Sequence, residues 1–305
     1  MSEPKAEWLN QKERGAILGI RAVLFMATVF GRAPTRLLVR LIALYYTLFD
    51  RSARAASKRY LAKVYGRPAR FREVYAHILR FAQTTLDRLF MLRGAHRHFI
   101  VTRDGNHHLQ ALTQEKRGAI LLGAHLGSFE AMRMSGADER FPITIVGHFE
   151  NAKMINALLE ELNPELNERV LHIGDSPLDF ALTLKSRIDA GEMVAMMGDR
   201  IGLNDRTIAA RFFGEKARFP AGPFLIAATL KCPVYLVFGI YREPNRYELS
   251  CMPFKDRIQL PRSDRMGALE SIVQEYADAL EEKCRSAPDN WFNFFDFWEE
   301  EPAHE

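Results

Sequence analysis

The chain has 305 residues, of which 48% are hydrophobic and 26% charged. That balance excludes a disordered chain and supplies enough apolar material for a full core. The 19 glycines and 14 prolines exclude collagen-like or linker-dominated architecture. The formal charge of +4 hides an asymmetry: residues 1–70 hold 14 Lys+Arg against 4 Asp+Glu, a net of +10, and the remainder sums to −6. The body is therefore not expected to bind nucleic acid. Three widely separated cysteines, Cys232, Cys251 and Cys284, with no C-x-x-C pair, argue against a disulfide framework or thiolate zinc site and for a reducing compartment.

Residues 15–49 are apolar but punctuated by Arg21, Arg32, Arg36 and Arg40. No window reaches the roughly 18–20 uncharged residues of a comfortable spanning helix, and no small-residue cleavage site follows the apolar run. Pro34 predicts a break between two helices of about 15 residues each. Bulky apolar residues with interspersed arginines suit the membrane–water interface, with the apolar face in the acyl boundary and guanidinium groups on lipid phosphates. The excess of basic residues keeps this end cytoplasmic. A soluble helical pair with arginines on its solvent face is the plainer alternative. Further helices follow over residues 52–93, where Tyr75, Ile78, Leu79, Phe81 and Ala82 recur at helical spacing.

From about residue 98 strands and helices alternate. Strands are expected at Phe99–Thr102, Gly118–Ala124, Ile143–His148, 169–173 and 192–198. Helices are expected near 128–136, 151–163 and 177–190. A hairpin-like stretch at 207–213 precedes a helix at 222–231, two strands at Val234–Tyr241 and Tyr247–Pro253, and a closing helix near 265–285. Alternation at this pitch predicts an α/β fold with a largely parallel central sheet flanked by helices. The expected organisation is a membrane-associating helical region over residues 1–95 and an α/β domain over residues 96–305. Ligands in such folds collect at the carboxyl ends of the strands.

Gly-Ala-His-Leu-Gly-Ser-Phe-Glu, residues 123–130, falls at such an end. On one continuous helix His125 and Glu130 would sit about 140° apart. With a strand end, a turn at Gly127 and then a helix, both point into one cleft. A neutral imidazole is a natural general base near pH 7, and a carboxylate beside it fixes the tautomer and stabilises the imidazolium. Ser128 lacks the G-x-S-x-G setting of an exposed nucleophile and reads as a helix N-cap.

The His-x4-Glu arrangement after an apolar strand resembles the motif of the lysophospholipid acyltransferase superfamily. More narrowly, the chain is similar to the late acyltransferases of bacterial lipid A biosynthesis over roughly residues 15–300. Three further landmarks carry the resemblance: the apolar strand ending in aspartate at residues 193–200, Arg-Phe-Phe-Gly-Glu-Lys-Ala-Arg-Phe-Pro-Ala-Gly-Pro at 211–223, and the aromatic box from Trp291 to Trp298. The resemblance implies transfer of a fatty acyl group from a thioester to a hydroxyl or amine at the cytoplasmic face of a bacterial inner membrane. In it His125 takes the acceptor proton and Glu130 holds and polarises His125. An early amide of the helix after Gly127, or Arg200, faces the oxyanion. Acyl carrier protein is the implied donor, with acyl-coenzyme A second, and no metal or other cofactor is implied. A membrane lipid acceptor and an anionic membrane surface are the further partners.

The chain departs from the lipid A pattern in two places. Asp199-Arg200 stands where the family commonly has Asp-Gln, and Gly147-His148-Phe149-Glu150 replaces a Tyr-Arg-Pro-like segment. A different glycolipid, an amino-acid lipid or a polyene lipid head group thus stays open as acceptor.

Substrate-binding candidates are Asp199, Arg200, Arg218 and Gly222. Arg200 and Arg218 are placed for a phosphate-bearing substrate or serve as surface ion-pair partners. Gly222 allows close ligand approach or simply starts a helix. His148 is a minor candidate at a strand end. His96, His98, His107 and His108 lack a metal-ligand spacing with carboxylates or thiolates. The aromatic tail reads as a packed lid on the core. A thioesterase or lipid hydrolase using the same base, and a non-catalytic lipid-binding protein, are the competing functions.

Overall fold

The computed structural model describes residues 16–147, 170–172, 177–201 and 206–298. Four helices open the chain: α1 (Ala16–Val29), α2 (Arg32–Phe49), α3 (Arg51–Tyr65) and α4 (Phe71–Leu92). The first break lies at Gly31 (φ 77°) rather than at Pro34. Proline is tolerated in a first helical turn, where its missing N–H has no partner to lose. Asp50 starts α3 by accepting from the Ala53 amide, and Gly66 ends it in the left-handed region.

The body runs β1 (Ile100–Asp104), α5 (Asn106–Gln114), β2 (Ala119–Gly123), α6 (Phe129–Asp138), β3 (Ile143–Gly147), β4 (Val170–His172), α7 (Pro177–Asp189) and β5 (Met193–Met197). It continues through β6 (Thr207–Phe212), β7 (Glu215–Pro220), α8 (Gly222–Leu230), β8 (Val234–Arg242), β9 (Arg246–Lys255) and α9 (Arg265–Ser286). The expected helix at 151–163 and His148 lie outside the described residues.

Among the described residues the central sheet has seven strands in the order β1-β9-β8-β2-β5-β3-β4. Strands β8, β2, β5, β3 and β4 are mutually parallel. The hairpin β8–β9 reverses the direction at one edge, where β1 runs parallel to β9. The predicted α/β class with a largely parallel sheet is the observed one. Strand β2 lies mid-sheet with all five residues buried, as its unbroken apolar run requires. Ile120 and Leu122 enter the main core, while Ala119 and Leu121 enter a smaller cluster on the opposite face. The residues at 207–220 form a separate antiparallel hairpin, β6–β7.

The main core also contains Val39 and Ala43 of α2, Tyr60 and Leu61 of α3, and Val74 and Leu86 of α4. Polar bonds fix this junction. Arg32 grips Asp87 bidentately at 2.7 and 2.8 Å, and Arg36 reaches Tyr241 Oη, the Pro244 carbonyl and Glu243. Arg32 and Arg36 therefore point into the protein, not to lipid phosphates as their spacing predicted. The consequence for α2 is an inverted helix. Its buried face is small or polar (Thr35, Arg36, Val39, Ala43, Thr47). Its bulky residues Leu37, Leu41, Tyr45, Leu48 and Phe49 face outward, Leu37 at 62% and Phe49 at 67% exposure.

Candidate active site

At the carboxyl end of β2 the chain leaves the sheet through Ala124 and His125 and turns at Gly127 into α6. Gly127 has φ 74°, and a Cβ there would stand 2.0 Å from the Gly239 carbonyl oxygen, so only glycine fits. Neighbours on both sides clamp the turn. The Gly127 amide donates to the Asn290 carbonyl at 2.7 Å, the Ser128 amide to Gly239 at 2.7 Å, and the Phe292 amide to the His125 carbonyl at 2.8 Å. Ser128 accepts from the Ala131 amide at 3.1 Å, the N-cap role its position predicted.

His125 is held by Asp199, which follows the neighbouring strand β5. The imidazole Nδ1–H donates to Asp199 Oδ1 at 2.8 Å, and the His125 backbone N–H donates to Oδ2 at 2.9 Å. Parallel register makes this pairing: Gly123 lies opposite Met197, so the residues two beyond each strand end meet. The His125 side chain is 31% exposed and that of Asp199 is fully buried. Burial, reinforced by the nearby Arg200 guanidinium, pushes the imidazole below its ordinary pKa against the opposing pull of Asp199. Burial alone would raise the Asp199 carboxyl, but the charge and hydrogen bonds of His125, with Arg200, hold it below its ordinary value. The pair is thus a neutral imidazole beside a carboxylate, with Nδ1 as donor and Nε2 as the basic nitrogen.

The carboxylate on Nδ1 is Asp199, not the Glu130 expected from the His-x4-Glu spacing. Glu130 is buried in the first turn of α6, where its oxygens meet Arg88 of α4 at 3.2 Å and Arg133 at 3.3 Å. A salt bridge to another helix takes it, because the first turn of α6 faces α4.

Arg200 follows Asp199 directly. Its Nη2 donates to the Phe292 carbonyl at 2.7 Å, and its Nε is buried with no partner among the described residues. Burial lowers its pKa and Asp199 opposes that shift. Arg218 bonds within the β6–β7 hairpin, to Thr207 Oγ1 at 3.1 Å. Gly222 opens α8 where an added Cβ would meet open space, so tight backbone approach does not demand glycine there. His96 pairs with Asp138 at 3.0 Å, and no metal-holding group of His, Cys, Asp and Glu occurs among the described residues.

Trp291 is the residue that sequence reasoning missed. Its indole N–H donates to Asp199 Oδ2 at 3.0 Å. The available signal was general: a buried indole needs an acceptor, and a tail of apolar rings offers few. The rest of the box packs as the expected lid, with Trp291, Phe292, Phe297 and Trp298 buried.

A cavity of about 440 Å³ lies on the sheet face beneath α6. Leu109, Phe129, Met132, Ile145, Ala195 and Val237 line it, so its wall is chiefly apolar. It reaches from Phe129, beside the turn that carries His125, to Arg103 and Arg140 at the far edge of the sheet.

The parallel sheet thus bears a histidine–carboxylate pair at its carboxyl edge, and a chiefly apolar cavity lies beneath the helix that follows the histidine. The chain belongs to the bacterial lipid A biosynthesis acyltransferase family, whose model matches residues 5–300. It is accordingly an acyltransferase of the lipid A type. A comparison with curated proteins finds no match to the chain.

Proposed function

We propose that the protein moves a fatty acyl chain from acyl carrier protein to a hydroxyl or amine of a lipid A-like or other glycolipid acceptor, at the cytoplasmic face of a bacterial inner membrane. The carrying observation is the His125–Asp199 pair, which leaves Nε2 free to act as general base at a strand end. Nε2 takes the proton of the acceptor O–H or N–H as the acceptor atom attacks the thioester carbonyl. The tetrahedral intermediate collapses with cleavage of the C–S bond, and the proton passes from Nε2 to the departing sulfur. The amides of Gly127 and Ser128 already bond to carbonyls. The oxyanion is therefore met by a following amide of the first turn of α6 or by Arg200. Protons and the acyl group are all that move, so the scheme calls on no metal or cofactor.

The cavity beneath α6 takes the acyl chain. Its volume falls within the roughly 300–1,000 Å³ of small-molecule sites, and Ala195 and Gly136 keep it open. Glu130 acts here through Arg133, which also lines the cavity. The membrane face is the outer side of α1 and α2, where Phe25, Phe30, Leu37, Leu41, Tyr45 and Phe49 are exposed. No helix among the described residues is long and apolar enough to cross a membrane, and an apolar face of this kind enters the acyl boundary lying flat. The stretch from Arg51 to Arg72 carries eight Lys+Arg and no acidic residue, offering complementary charge to an acidic carrier.

Purified protein incubated with labelled acyl carrier protein and a total lipid extract is expected to yield an acylated lipid that disappears with His125→Ala. Free fatty acid as the sole product would instead assign a hydrolase. Lipid binding without turnover, unchanged by His125→Ala, would assign a binding protein. Within the transferase reading, Ala195→Phe is expected to shorten the acyl chain accepted while leaving the fold intact.

A further inference from the structure

Asp199 is buried and has three hydrogen-bond donors among the described residues, of which two, the backbone N–H and Nδ1–H, belong to His125 itself. The Nδ1–H turns with the imidazole, whereas the backbone N–H belongs to the clamped turn and fixes Oδ2 from one side. Rotation about χ2 of an aspartate is broad, so its carboxylate plane needs a second fixed donor. The third donor is that one: the Trp291 indole N–H, on Oδ2 at 3.0 Å.

Trp291 is itself held from several sides. It is wholly buried, and the rings of Tyr60, Phe212 and Phe297 meet it edge-on at centroid distances of 4.9, 5.3 and 4.9 Å. Its carbonyl accepts from His77 Nε2 of α4 at 2.7 Å, while His77 Nδ1 lies 2.9 Å from the Ser57 hydroxyl of α3. A carbonyl only accepts, so Nε2 carries the proton and the hydroxyl donates to Nδ1. Its neighbours in sequence pair with the turn that bears His125, through Asn290 and Phe292.

We propose that Trp291 is a positioning residue for the His125–Asp199 pair. It pins Oδ2 so that Oδ1 stays on Nδ1 of His125, and the Ser57–His77 pair of the N-terminal helices fixes Trp291 in turn. The inference rests on His125 being the base, and its test reads geometry without turnover.

Trp291→Phe keeps a ring in the aromatic cluster and removes only the indole N–H. Without that donor the carboxylate turns off Nδ1, and His125 loses part of the pull that Asp199 exerts on it. The imidazole titration followed by NMR is then expected to move down by about half a pKa unit. In the unsubstituted protein the Trp291 indole proton is expected to shift with pH at the midpoint of His125, a reading that stands even if the variant does not fold. With acyl-transfer turnover, Trp291→Phe is expected to lower kcat about tenfold with KM unchanged, less than the roughly 10²–10⁴-fold of losing the general base itself. A His125 midpoint unchanged or raised in the variant, or an indole proton blind to the His125 titration, overturns the proposal. If both NMR signatures are found but neither protein transfers an acyl group, the positioning stands and the acyl-transfer reading falls.

Discussion

Asp199 has no solvent contact, so its protein donors alone decide what its charge does. Neutralising it tests the base directly. Asp199→Asn is expected to reduce kcat by about 10²–10⁴-fold, the range of general-base contributions, with a far smaller effect on KM. Steady-state kinetics on the purified variant checks this, and a KM effect with kcat retained would place Asp199 in binding instead. At this scale His125 was legible from an apolar strand ending in Gly-Ala-His, because the edge of a parallel sheet is where polar groups meet ligand. Its partner was not. Local spacing pointed to Glu130, five residues on, while the carboxylate on Nδ1 lies 74 residues away, just past the end of the adjacent strand. Asp199 itself stood among the binding candidates, as the aspartate that ends the apolar strand in the family resemblance; only the β2–β5 register tells which histidine it meets.

Among the elements, the turn between β2 and α6 and the helix pair α3–α4 carry the sharpest consequences. Gly127→Ala would force a methyl group into the Gly239 carbonyl at a positive φ. It is expected to cost about 3 kcal/mol or more, seen as a lower denaturation midpoint together with lost activity.

His77 gives a pH signature. It is fully buried, and burial pushes its pKa down to about 4 against the weaker pull of the Trp291 carbonyl and Asp289. The unfolded chain takes up this proton near the ordinary value of about 6.5. As pH falls from about 6.5 the unfolded state therefore binds more protons, and stability drops until the folded form also protonates near 4. The loss from this one group is about 3 kcal/mol. Urea titrations across that window should show it in the wild type and less of it in His77→Gln; equal slopes in both would refute the assignment. Helix α4 was readable from its periodicity, but its polar interior was not, because Ser57 and His77 find each other only once α3 and α4 are packed.

For the whole molecule, the outward apolar face of α1 and α2 predicts behaviour toward lipid. Leu41→Glu combined with Phe49→Glu removes two of its exposed side chains. The double variant is expected to lose most co-sedimentation with anionic vesicles while keeping its circular dichroism and melting transition. Unchanged co-sedimentation would move the lipid contact elsewhere on the surface. The amino-acid sequence alone established that this chain folds around a large core, that its basic end differs from its body, and that an α/β sheet carries a histidine at its edge, since these depend on residue type and on periods of two and 3.6 that are local to the chain. Tertiary structure decided the rest: that Arg32 and Arg36 turn inward to Asp87 and Glu243, that α2 presents its bulky side to the outside, and that Asp199 and Trp291 converge on His125. Each of these is a pairing between residues far apart in sequence. A charge or a hydrogen-bond donor in an extended chain has many equivalent partners, and packing leaves it one.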